Sequence, residues 1–459
     1  MAADSFLERR FRLSERGTSV RVEALGGLTT FLTMAYIVFV NPAILSAAGM
    51  PFGAVAVATA LAAAVASIAM GLYANVPFAL ASGLGINALV AFDLILGQDI
   101  PWQVGMACVI IEGVIAVILV LAGLREAVVR AVPMSLKLSI GVGIGLFITF
   151  VGLREGGIVV NDPATSVTLA DLTAGPPLIA LAGVAVALGL SARGVRGAIL
   201  IGIFTSTILG LIFGVLNTPD AILDIPGGDE LTTIGEPLQW DYLGDAFSWA
   251  LVPIIFALFM TDFFDTVGTA VAVGEQGGLN DENGELPEMR KVLLVDSASA
   301  AGGGIFGVSS VTTYVESGAG VGEGARTGLA AVFTGLFFAL TVFAVPLVET
   351  VGQGVQYGAE DNFIHPAIAP ALIMVGALMI RLVAGIDWAK PEEAIPAFLI
   401  IAGVPLTFSI AAGIGLGIIG YVVVMASLGR AREVHPLMWV LVPLFLAFFA
   451  DDWLSANVF

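Results

Sequence analysis

The chain has 459 residues, of which 58% are hydrophobic and only 12% are charged, and its mean hydropathy is +1.00. Ordinary soluble domains carry about 25% charged residues, so the composition excludes a soluble protein and indicates an integral membrane protein. The net charge of -19 argues against nucleic acid as a partner, and the single cysteine, Cys108, excludes an internal disulfide and a cysteine-rich metal site.

The charged N-terminal segment, residues 1–23, lacks an apolar core and a cleavage site, which predicts a cytosolic tail rather than a signal peptide. Beyond it, apolar runs of about 20 residues, the length that crosses a hydrocarbon core, recur almost to the C-terminus. The first half, 24–216, contains seven predicted spans, at 24–47, 52–73, 76–95, 102–122, 129–152, 176–192 and 195–216. The second half, 246–428, contains seven more, at 246–272, 288–306, 307–323, 325–348, 366–386, 393–410 and 411–428. The C-terminal tail, 429–459, carries an apolar stretch too short to cross, which predicts an interfacial helix.

An acidic segment, 217–245, separates the two halves. Arginine and lysine residues fall on alternate connections, so the positive-inside rule places both termini in the cytoplasm and the acidic segment outside. Because each half has an odd number of spans, the second half enters the membrane from the opposite side, as expected of an inverted repeat. These patterns predict an all-α, multi-pass protein of the plasma membrane, surrounded by the lipid bilayer.

The third and tenth predicted spans, at corresponding positions of the two halves, are poor helices. Their sequences, "NVPFALASGLGINALVAF" and "GVSSVTTYVESGAGVGEG", each place glycines after a short run that favours β-structure. Each is predicted to form a short strand followed by a half-helix. Backbone that leaves a helix at membrane depth is tolerated only beside protein or a water-filled cavity, so the paired breaks indicate the central site of a transporter.

Four polar residues in and near these breaks are candidates for the site. Asp262 and Asp265 stand three residues apart in the eighth predicted span and would share a helix face. Because an unpaired charge in a membrane is costly, such residues indicate function, with a hydrogen bond or ion pair to a neighbouring helix as the alternative. Glu316 would lie at the start of the tenth half-helix, and its charge state stays open. Asn87 offers a neutral amide in the matching break, as a ligand or as a helix cap.

Aromatic residues accompany these acceptors. The flat apolar side chains near them are Phe78, Phe263, Phe264 and Tyr314. The combination suits a planar heterocycle rich in N–H groups, because carboxylates accept from N–H and aromatic rings stack on the heterocycle. An inorganic anion would require arginines, and the broken spans offer only Arg326, at the far end.

The remaining acids within the spans are interpreted as structural or solvated groups. Glu112 and Asp296 are expected to form hydrogen bonds between helices, with a proton path as the alternative. Asp93 and Glu323 fall near the ends of predicted spans, which favours solvation.

Four stretches of the sequence resemble one known family. "LTTFLTMAYIVFVNPAIL", "ASGLGINALVAF", "MTDFFDTVGT" and "VTTYVESGAGVGEGARTG" are similar to the AzgA-like purine permeases, the hypoxanthine/guanine/adenine group related to the xanthine/uracil permeases. The resemblance implies a uracil-permease-like fold of two inverted repeats of seven segments. It also implies a core domain of segments 1–4 and 8–11 and a gate domain of segments 5–7 and 12–14.

The resemblance further implies roles for the candidate residues. Asp262 and Glu316 would contact the purine, with Asn87 as the contact from the third segment. Uracil permeases carry the longer glutamate at the Asp262 position, so the shorter acid leaves room for a bicyclic base, whereas Tyr314 is retained. The family's usual coupling is to protons, with Asp265, Glu316 or Asp262 as the carrier and no other cofactor or metal. Sodium coupling stays open.

The sequence therefore predicts a proton-coupled importer of hypoxanthine, guanine and adenine rather than an enzyme. The same fold could carry uracil, xanthine or another planar heterocycle instead, and a passive channel is a further alternative. Paired acids can also activate water, as in an intramembrane aspartyl hydrolase, but the G-x-G-D motif of such proteases is absent. A homodimer is compatible with these patterns and is not required by them.

Overall fold

The computed structural model describes residues 6–123, 132–219, 221–281, 286–358 and 363–450. Most of these residues are helical, as the composition predicts. The described α-helices are α1 (Phe6–Phe11), α2 (Val20–Met34), α3 (Ile37–Ser46), α4 (Phe52–Tyr73), α5 (Leu84–Ala88), α6 (Trp102–Leu121), α7 (Met134–Glu155), α8 (Gly175–Ala192), α9 (Ala198–Ile212), α10 (Trp240–Asp245), α11 (Val252–Gln276), α12 (Met289–Phe306), α13 (Ser317–Gly322), α14 (Gly328–Thr341), α15 (Val345–Val351), α16 (Ala369–Met379), α17 (Pro391–Thr407), α18 (Ile410–Ser427) and α19 (Pro436–Phe449). The described strands are β1 (Leu80–Ser82), β2 (Val159–Asp162), β3 (Ser166–Leu169), β4 (Val311–Thr313), β5 (Val355–Gln356) and β6 (Phe363–Ile364).

Eight helices of the described chain are long and apolar enough to cross a membrane. They lie at Val20–Ser46, Phe52–Tyr73, Trp102–Leu121, Met134–Glu155, Gly175–Ala192, Val252–Gln276, Gly328–Val351 and Ile410–Ser427. Shorter apolar helices lie at Leu84–Leu96, Ala198–Ile212, Ala369–Gly385 and Pro436–Phe449. These helices coincide with predicted spans or with the predicted C-terminal helix.

The prediction of short strands in the third and tenth spans is confirmed. In each span the chain runs extended for a few residues and then enters a short helix, β1 leading into α5 and β4 into α13. The two strands are antiparallel, and the register pairs Leu80 with Thr313, Ala81 with Thr312 and Ser82 with Val311. All of these residues are buried, so the two interrupted spans meet inside the protein.

Side chains satisfy the backbone that this short pairing leaves open. The Ser67 hydroxyl on α4 donates to the carbonyl oxygen of Leu80 at 3.1 Å and accepts from the N–H of Leu80 at 2.9 Å. The Ser317 hydroxyl accepts from the N–H of Ala79 at 2.9 Å. An interrupted span within a membrane therefore keeps its polar backbone bonded to protein, as the absence of water in a bilayer requires.

The spanning helices pack in two groups. The first consists of α2, α3, α4, α6, α12, α13 and α14, and the second of α7, α8, α9, α16, α17 and α18. Within the first group, a side chain at Gly328 on α14 would collide with the Gly71 carbonyl oxygen on α4, and one at Gly113 on α6 would collide with Ala301 on α12. Glycine thus permits the close helix contacts that replace the hydrophobic effect within membranes. Helix α11 contacts both groups, touching α6, α13 and β4 on one side and α7 and α18 on the other.

Candidate functional site

The paired strands lie against α11, which carries the two adjacent acids. Asp262 is only 2% exposed, and its Oδ1 accepts a hydrogen bond from the Ser310 hydroxyl at 3.1 Å. Ser310 immediately precedes β4, so Asp262 lies beside the start of the extended part of the tenth span. A carboxylate has about four acceptor positions, so Asp262 retains unused acceptor capacity in a buried position.

Asp265, one turn further along α11, has a different environment. Its side chain is exposed, whereas that of Thr266 is buried and donates to Oδ2 of Asp296 at 2.6 Å. Asp265 interacts electrostatically with Glu316, and Val315, next to Glu316 in the chain, is exposed as well. The two acids expected to share one face therefore differ in environment, with Asp262 buried and Asp265 exposed.

Glu316 is half-buried and lies immediately before α13. Its Oε1 accepts a hydrogen bond from the Tyr36 hydroxyl at 2.5 Å. Tyr36 is buried in the short break between α2 and α3. The Tyr314 hydroxyl donates instead to the carbonyl oxygen of Ser82, which ties the end of β4 to the end of β1. Two tyrosines therefore fix the Glu316 carboxylate and the strand pair in position.

Asn87 is the most unusual polar side chain of this region. It lies on α5, is 0% exposed, and neither its amide nitrogen nor its amide oxygen has a hydrogen-bond partner among the described residues. Gly83 stands at the N-terminus of α5, and Asn87 makes no capping bond there. Leaving a buried polar group unsatisfied costs about 1–3 kcal/mol. The amide is therefore suited to a ligand that both donates and accepts, and the alternative of a helix cap is wrong.

The predicted aromatic residues are packed within the protein. Phe263 is buried, and its ring centroid lies 5.5 Å from that of Phe259, one turn earlier on α11. Phe78 is fully buried in an apolar cluster that includes Val308 near β4. The side chain of Phe264 lies outside the described part of the structure. The structure thus brings the acids, Asn87 and Tyr314 to the strand pair, while Phe78 belongs to the apolar packing beside it.

Asp296 forms the hydrogen bonds between elements that the sequence predicts. Its Oδ1 accepts from the N–H and the hydroxyl of Thr313 at 2.9 and 2.8 Å. The same expectation is wrong for Glu112, which is 1% exposed and has no partner for either carboxyl oxygen among the described residues. Glu112 lacks a partner because α6 contacts α12 next to it through Gly113 and Ala301, which have no polar side chains.

Asp93 is buried, and the expectation of solvation is wrong. It is 5% exposed, and its Oδ2 accepts from the backbone N–H groups of Ile410 at 2.6 Å and Ala411 at 3.1 Å. These N–H groups lie at the start of α18, where a negative charge also complements the helix dipole. Glu323, also expected to be solvated, forms an ion pair with Arg196.

Sequence reasoning missed Tyr36 and Ser310, the hydroxyl partners of Glu316 and Asp262. Tyr36 lies 280 residues from Glu316, and Ser310 lies 48 residues from Asp262. A hydroxyl inside an apolar span is the only local signal for either residue, and it does not identify the partner.

The assembled site offers more acceptors than donors. Asp262, Asp265 and Glu316 form no ion pair with an arginine or lysine within the described ranges. In the same ranges, no three carboxylate, imidazole or thiol groups converge closely enough to hold a metal ion. The geometry therefore favours a small neutral ligand that donates N–H groups over an anion.

Apolar helices that enclose a polar site between two interrupted, strand-paired spans define a membrane transporter. Residues 21–416 match the Xan_ur_permease model, whose description is a permease family, and this chain belongs to that family. It is a multi-pass transporter of the plasma membrane and not an enzyme. The family resemblance given by the four sequence stretches is thereby confirmed.

Similar proteins cover nearly the whole chain. The guanine/hypoxanthine permease PbuG of Bacillus subtilis is 44% identical, over 96% of this chain and 98% of its own length. The adenine permease AdeP of Escherichia coli is 38% identical, over 97% of this chain and 96% of its own. The transmembrane domain of BicA, a cyanobacterial bicarbonate transporter, superposes with a TM-score of 0.62 at 17% identity, over 85% of this chain and 97% of that domain. At this identity the likeness to BicA shows a common fold alone.

Proposed function

We propose that this protein imports purine nucleobases, namely hypoxanthine, guanine and adenine, across the plasma membrane by proton symport. The main support for the proposal is the buried Asn87 amide, which has no hydrogen-bond partner among the described residues. Asp262 and Glu316 of the same site have hydroxyl partners but no ion pair with a described arginine or lysine. A purine carries both N–H donors and ring-nitrogen acceptors on its edges, so it complements an amide and carboxylates together. The names of the related guanine/hypoxanthine and adenine permeases support the same class of cargo.

In this proposal, Asp262 and Glu316 accept N–H groups of the base, and the Asn87 amide bonds to a neighbouring edge. A hydrogen bond to a charged group contributes about 1.5–3 kcal/mol. The Tyr36 hydroxyl, 2.5 Å from Oε1 of Glu316, orients that carboxylate before the base arrives. The apolar walls of the site are assigned to Phe263, Tyr314 and, behind the strands, Phe78.

The proposed cycle moves two domains that are built from inverted repeats of seven segments each. The core domain comprises segments 1–4 and 8–11, and the gate domain segments 5–7 and 12–14. The separate packing of α2–α6 and α12–α14 from α7–α9 and α16–α18 supports this division. Movement of the core against the gate would expose the site to each side in turn. The exposed Asp265 is assigned to coupling, together with Asp262 or Glu316.

Uptake by proteoliposomes tests the proposal. We expect labelled hypoxanthine to accumulate when an inward proton gradient is imposed, and we expect Asp262→Asn and Glu316→Gln to lower kcat/KM by about 10- to 100-fold through the lost charged hydrogen bond. Asp241→Asn, at an exposed residue of α10, is the matched control and should transport normally. Absence of uptake of every purine by the unaltered protein would refute the function.

Three alternatives are separated by assays of the same kind. A cargo of uracil or xanthine would appear as uptake of labelled uracil or xanthine without uptake of labelled hypoxanthine. Sodium coupling would appear as accumulation that follows an imposed sodium gradient at constant pH. Flux that neither saturates nor responds to a gradient would indicate a channel.

A further inference from the structure

Glu112 is a buried acid to which the proposed binding of the base assigns no role. It lies on α6 at the contact with α12, and its side chain is 1% exposed. Neither Oε1 nor Oε2 has a hydrogen-bond partner among the described residues. A carboxylate in this position would be a buried charge without compensation, which is among the costliest arrangements in a protein.

The surroundings of Glu112 increase that cost. The titratable groups that face it from neighbouring helices are Asp262 on α11 and Asp296 on α12, and both carboxyls interact with it electrostatically. On α6 itself, Cys108 lies one turn earlier and is also buried. No arginine, lysine or histidine within the described ranges forms an ion pair with Glu112. The local charge is therefore purely negative when these groups ionise.

The three acids differ in how well the protein stabilises a negative charge on each. Asp296 accepts hydrogen bonds from the Thr266 hydroxyl and from both the N–H and the hydroxyl of Thr313. Asp262 accepts one, from Ser310, and Glu112 accepts none. Hydrogen bonds to a carboxylate favour its charged form, so Glu112 is the acid of this group that is best suited to hold a proton.

We propose that Glu112, rather than Asp265, Asp262 or Glu316, holds the symported proton during the transport cycle, an inference that rests on the proposed symport function. The acids of the strand-pair site then couple to this proton through their charge. With Glu112 neutral, Asp262 can remain a carboxylate and accept an N–H group from the base. The proton enters Glu112 from the outer side before the base binds and leaves to the inner side after the base has dissociated. No covalent bond forms or breaks in the base, and each cycle moves one base and one proton.

The proposal makes binding of the base and of the proton mutually favourable. A neutral Glu112 allows Asp262 to stay ionised and accept from the base, and a base bound to the ionised Asp262 favours the protonated form of Glu112. The affinity of the unaltered protein for hypoxanthine should therefore fall as the pH rises and Glu112 ionises, by up to about tenfold per pH unit. Glu112→Gln is permanently neutral, so its affinity should stay constant over the same pH range.

Transport by Glu112→Gln in proteoliposomes is the decisive measurement. We expect the variant to exchange internal for external hypoxanthine at a rate close to that of the unaltered protein, but to lose accumulation driven by a proton gradient. Glu15→Gln, an exposed change in the N-terminal region, is the matched control and should retain both. Unchanged gradient-driven accumulation and an unchanged pH dependence of affinity in Glu112→Gln would overturn the proposal.

Folding of neutral variants provides a second readout that needs no substrate. The unfolding temperature of the substrate-free protein should fall at alkaline pH, because an ionised Glu112 is uncompensated, and Glu112→Gln and Glu112→Met should lack this fall. If both neutral variants fail to fold, or if both show the same alkaline fall, the assignment is wrong. Transport of no purine by the unaltered protein would instead refute the proposed function, and the unfolding measurements would still decide the state of Glu112.

Discussion

The Asn87 side chain lowers the stability of the empty protein and, in the proposed function, contributes to binding of the base. Its amide is fully buried, and its donor and acceptor are both unused among the described residues. An unsatisfied buried amide destabilises the empty protein, and the same groups gain their full hydrogen-bond energy when a ligand supplies the missing partners. Stability and affinity should therefore respond in opposite directions to its removal.

We expect Asn87→Leu to raise the stability of the empty protein by about 1–3 kcal/mol and to weaken hypoxanthine binding by about tenfold or more, because leucine is similar in size and needs no partner. Asn41→Leu is the matched control, since the Asn41 amide nitrogen donates to Thr59 at 2.8 Å and to Ser82 at 3.2 Å and its loss should destabilise. Thermal unfolding and equilibrium binding measure both quantities. A destabilised Asn87→Leu that binds normally would make the amide a structural group.

The sequence identifies these residues better than it identifies their partners. Asp262, Glu316 and Asn87 stand out because a polar side chain inside an apolar span is visible without any knowledge of packing. The Tyr36 bond to Glu316, in contrast, depends on how the first and tenth spans meet. Glu112 shows the opposite error, because a hydrogen bond expected from burial alone is missing where the neighbouring helix presents alanine and glycine.

At the scale of helices, two acids cap helices that are remote in sequence. Asp93 accepts from the first N–H groups of α18, and the fully buried Glu23 on α2 accepts from Thr327 at 3.3 Å and Ala330 at 3.1 Å near the start of α14. Helices α2 and α14 belong to one packing group. The segment that carries Asp93 packs on α6, whereas α18 belongs to the other group. The Asp93 bond therefore joins parts that move relative to each other in the proposed cycle.

We expect Asp93→Ala and Glu23→Ala each to lower stability by about 1–3 kcal/mol, because each leaves buried N–H groups at a helix start without an acceptor. Only Asp93→Ala should also change the maximal rate of hypoxanthine uptake, since only that bond must break when the groups separate. Thermal unfolding and initial uptake rates provide the comparison. Equal effects of the two substitutions on rate would show that the Asp93 bond persists throughout transport.

Local sequence predicts the strand pair but not the other irregularities of the helices. Glycine and β-favouring residues mark β1 and β4, and the predicted strands form. The break before Ile37 and the π-helical segment Leu89–Leu96 contain no glycine or proline of their own that would mark them. Each of these two irregularities contains a side chain that is hydrogen-bonded to a residue remote in sequence. Tyr36 donates to Glu316, and Asp93 accepts from the first residue of α18. Tertiary contacts therefore determine both irregularities.

For the molecule as a whole, the two ends of α11 differ in exposure. Asp265, Gly268, Ala272 and Glu275 recur at helical spacing and are exposed, whereas Ala257 in the first half of the helix is fully buried. This exposed stripe therefore runs towards the C-terminal end of α11. In the orientation predicted by the positive-inside rule, the C-terminal end of α11 faces the cytoplasm.

We expect Ala272→Cys to react with a membrane-impermeant thiol reagent applied from the cytoplasmic side, and Ala257→Cys to remain unmodified from either side, because only the former is exposed. The buried Cys108 gives little background. Mass spectrometry of inside-out and right-side-out vesicles measures the modification. Reaction of Ala272→Cys only from the outer side would reverse the proposed orientation, and no reaction from either side would place this stripe against lipid.

At this scale hydropathy predicts the positions of the apolar helices, because it is a property of consecutive residues. The partition of those helices into two packing groups is not visible in hydropathy, since it depends on contacts such as Gly71 with Gly328, far apart in the chain. The expected division into two domains came from the family resemblance. The glycines indicate only that helices can pack closely, not which helices do so.

The pairing of β1 with β4 also constrains how the protein is made. Leu80 and its partner Thr313 are separated by about half of the chain, so β1 is synthesised long before the strand that completes it. Until β4 arrives, one edge of β1 must be shielded from lipid, because unpaired peptide groups are costly there. The first half alone lacks the strand that pairs with β1. Assembly of the transporter is therefore expected to require an insertion machinery that retains the early segments until the later ones are in place.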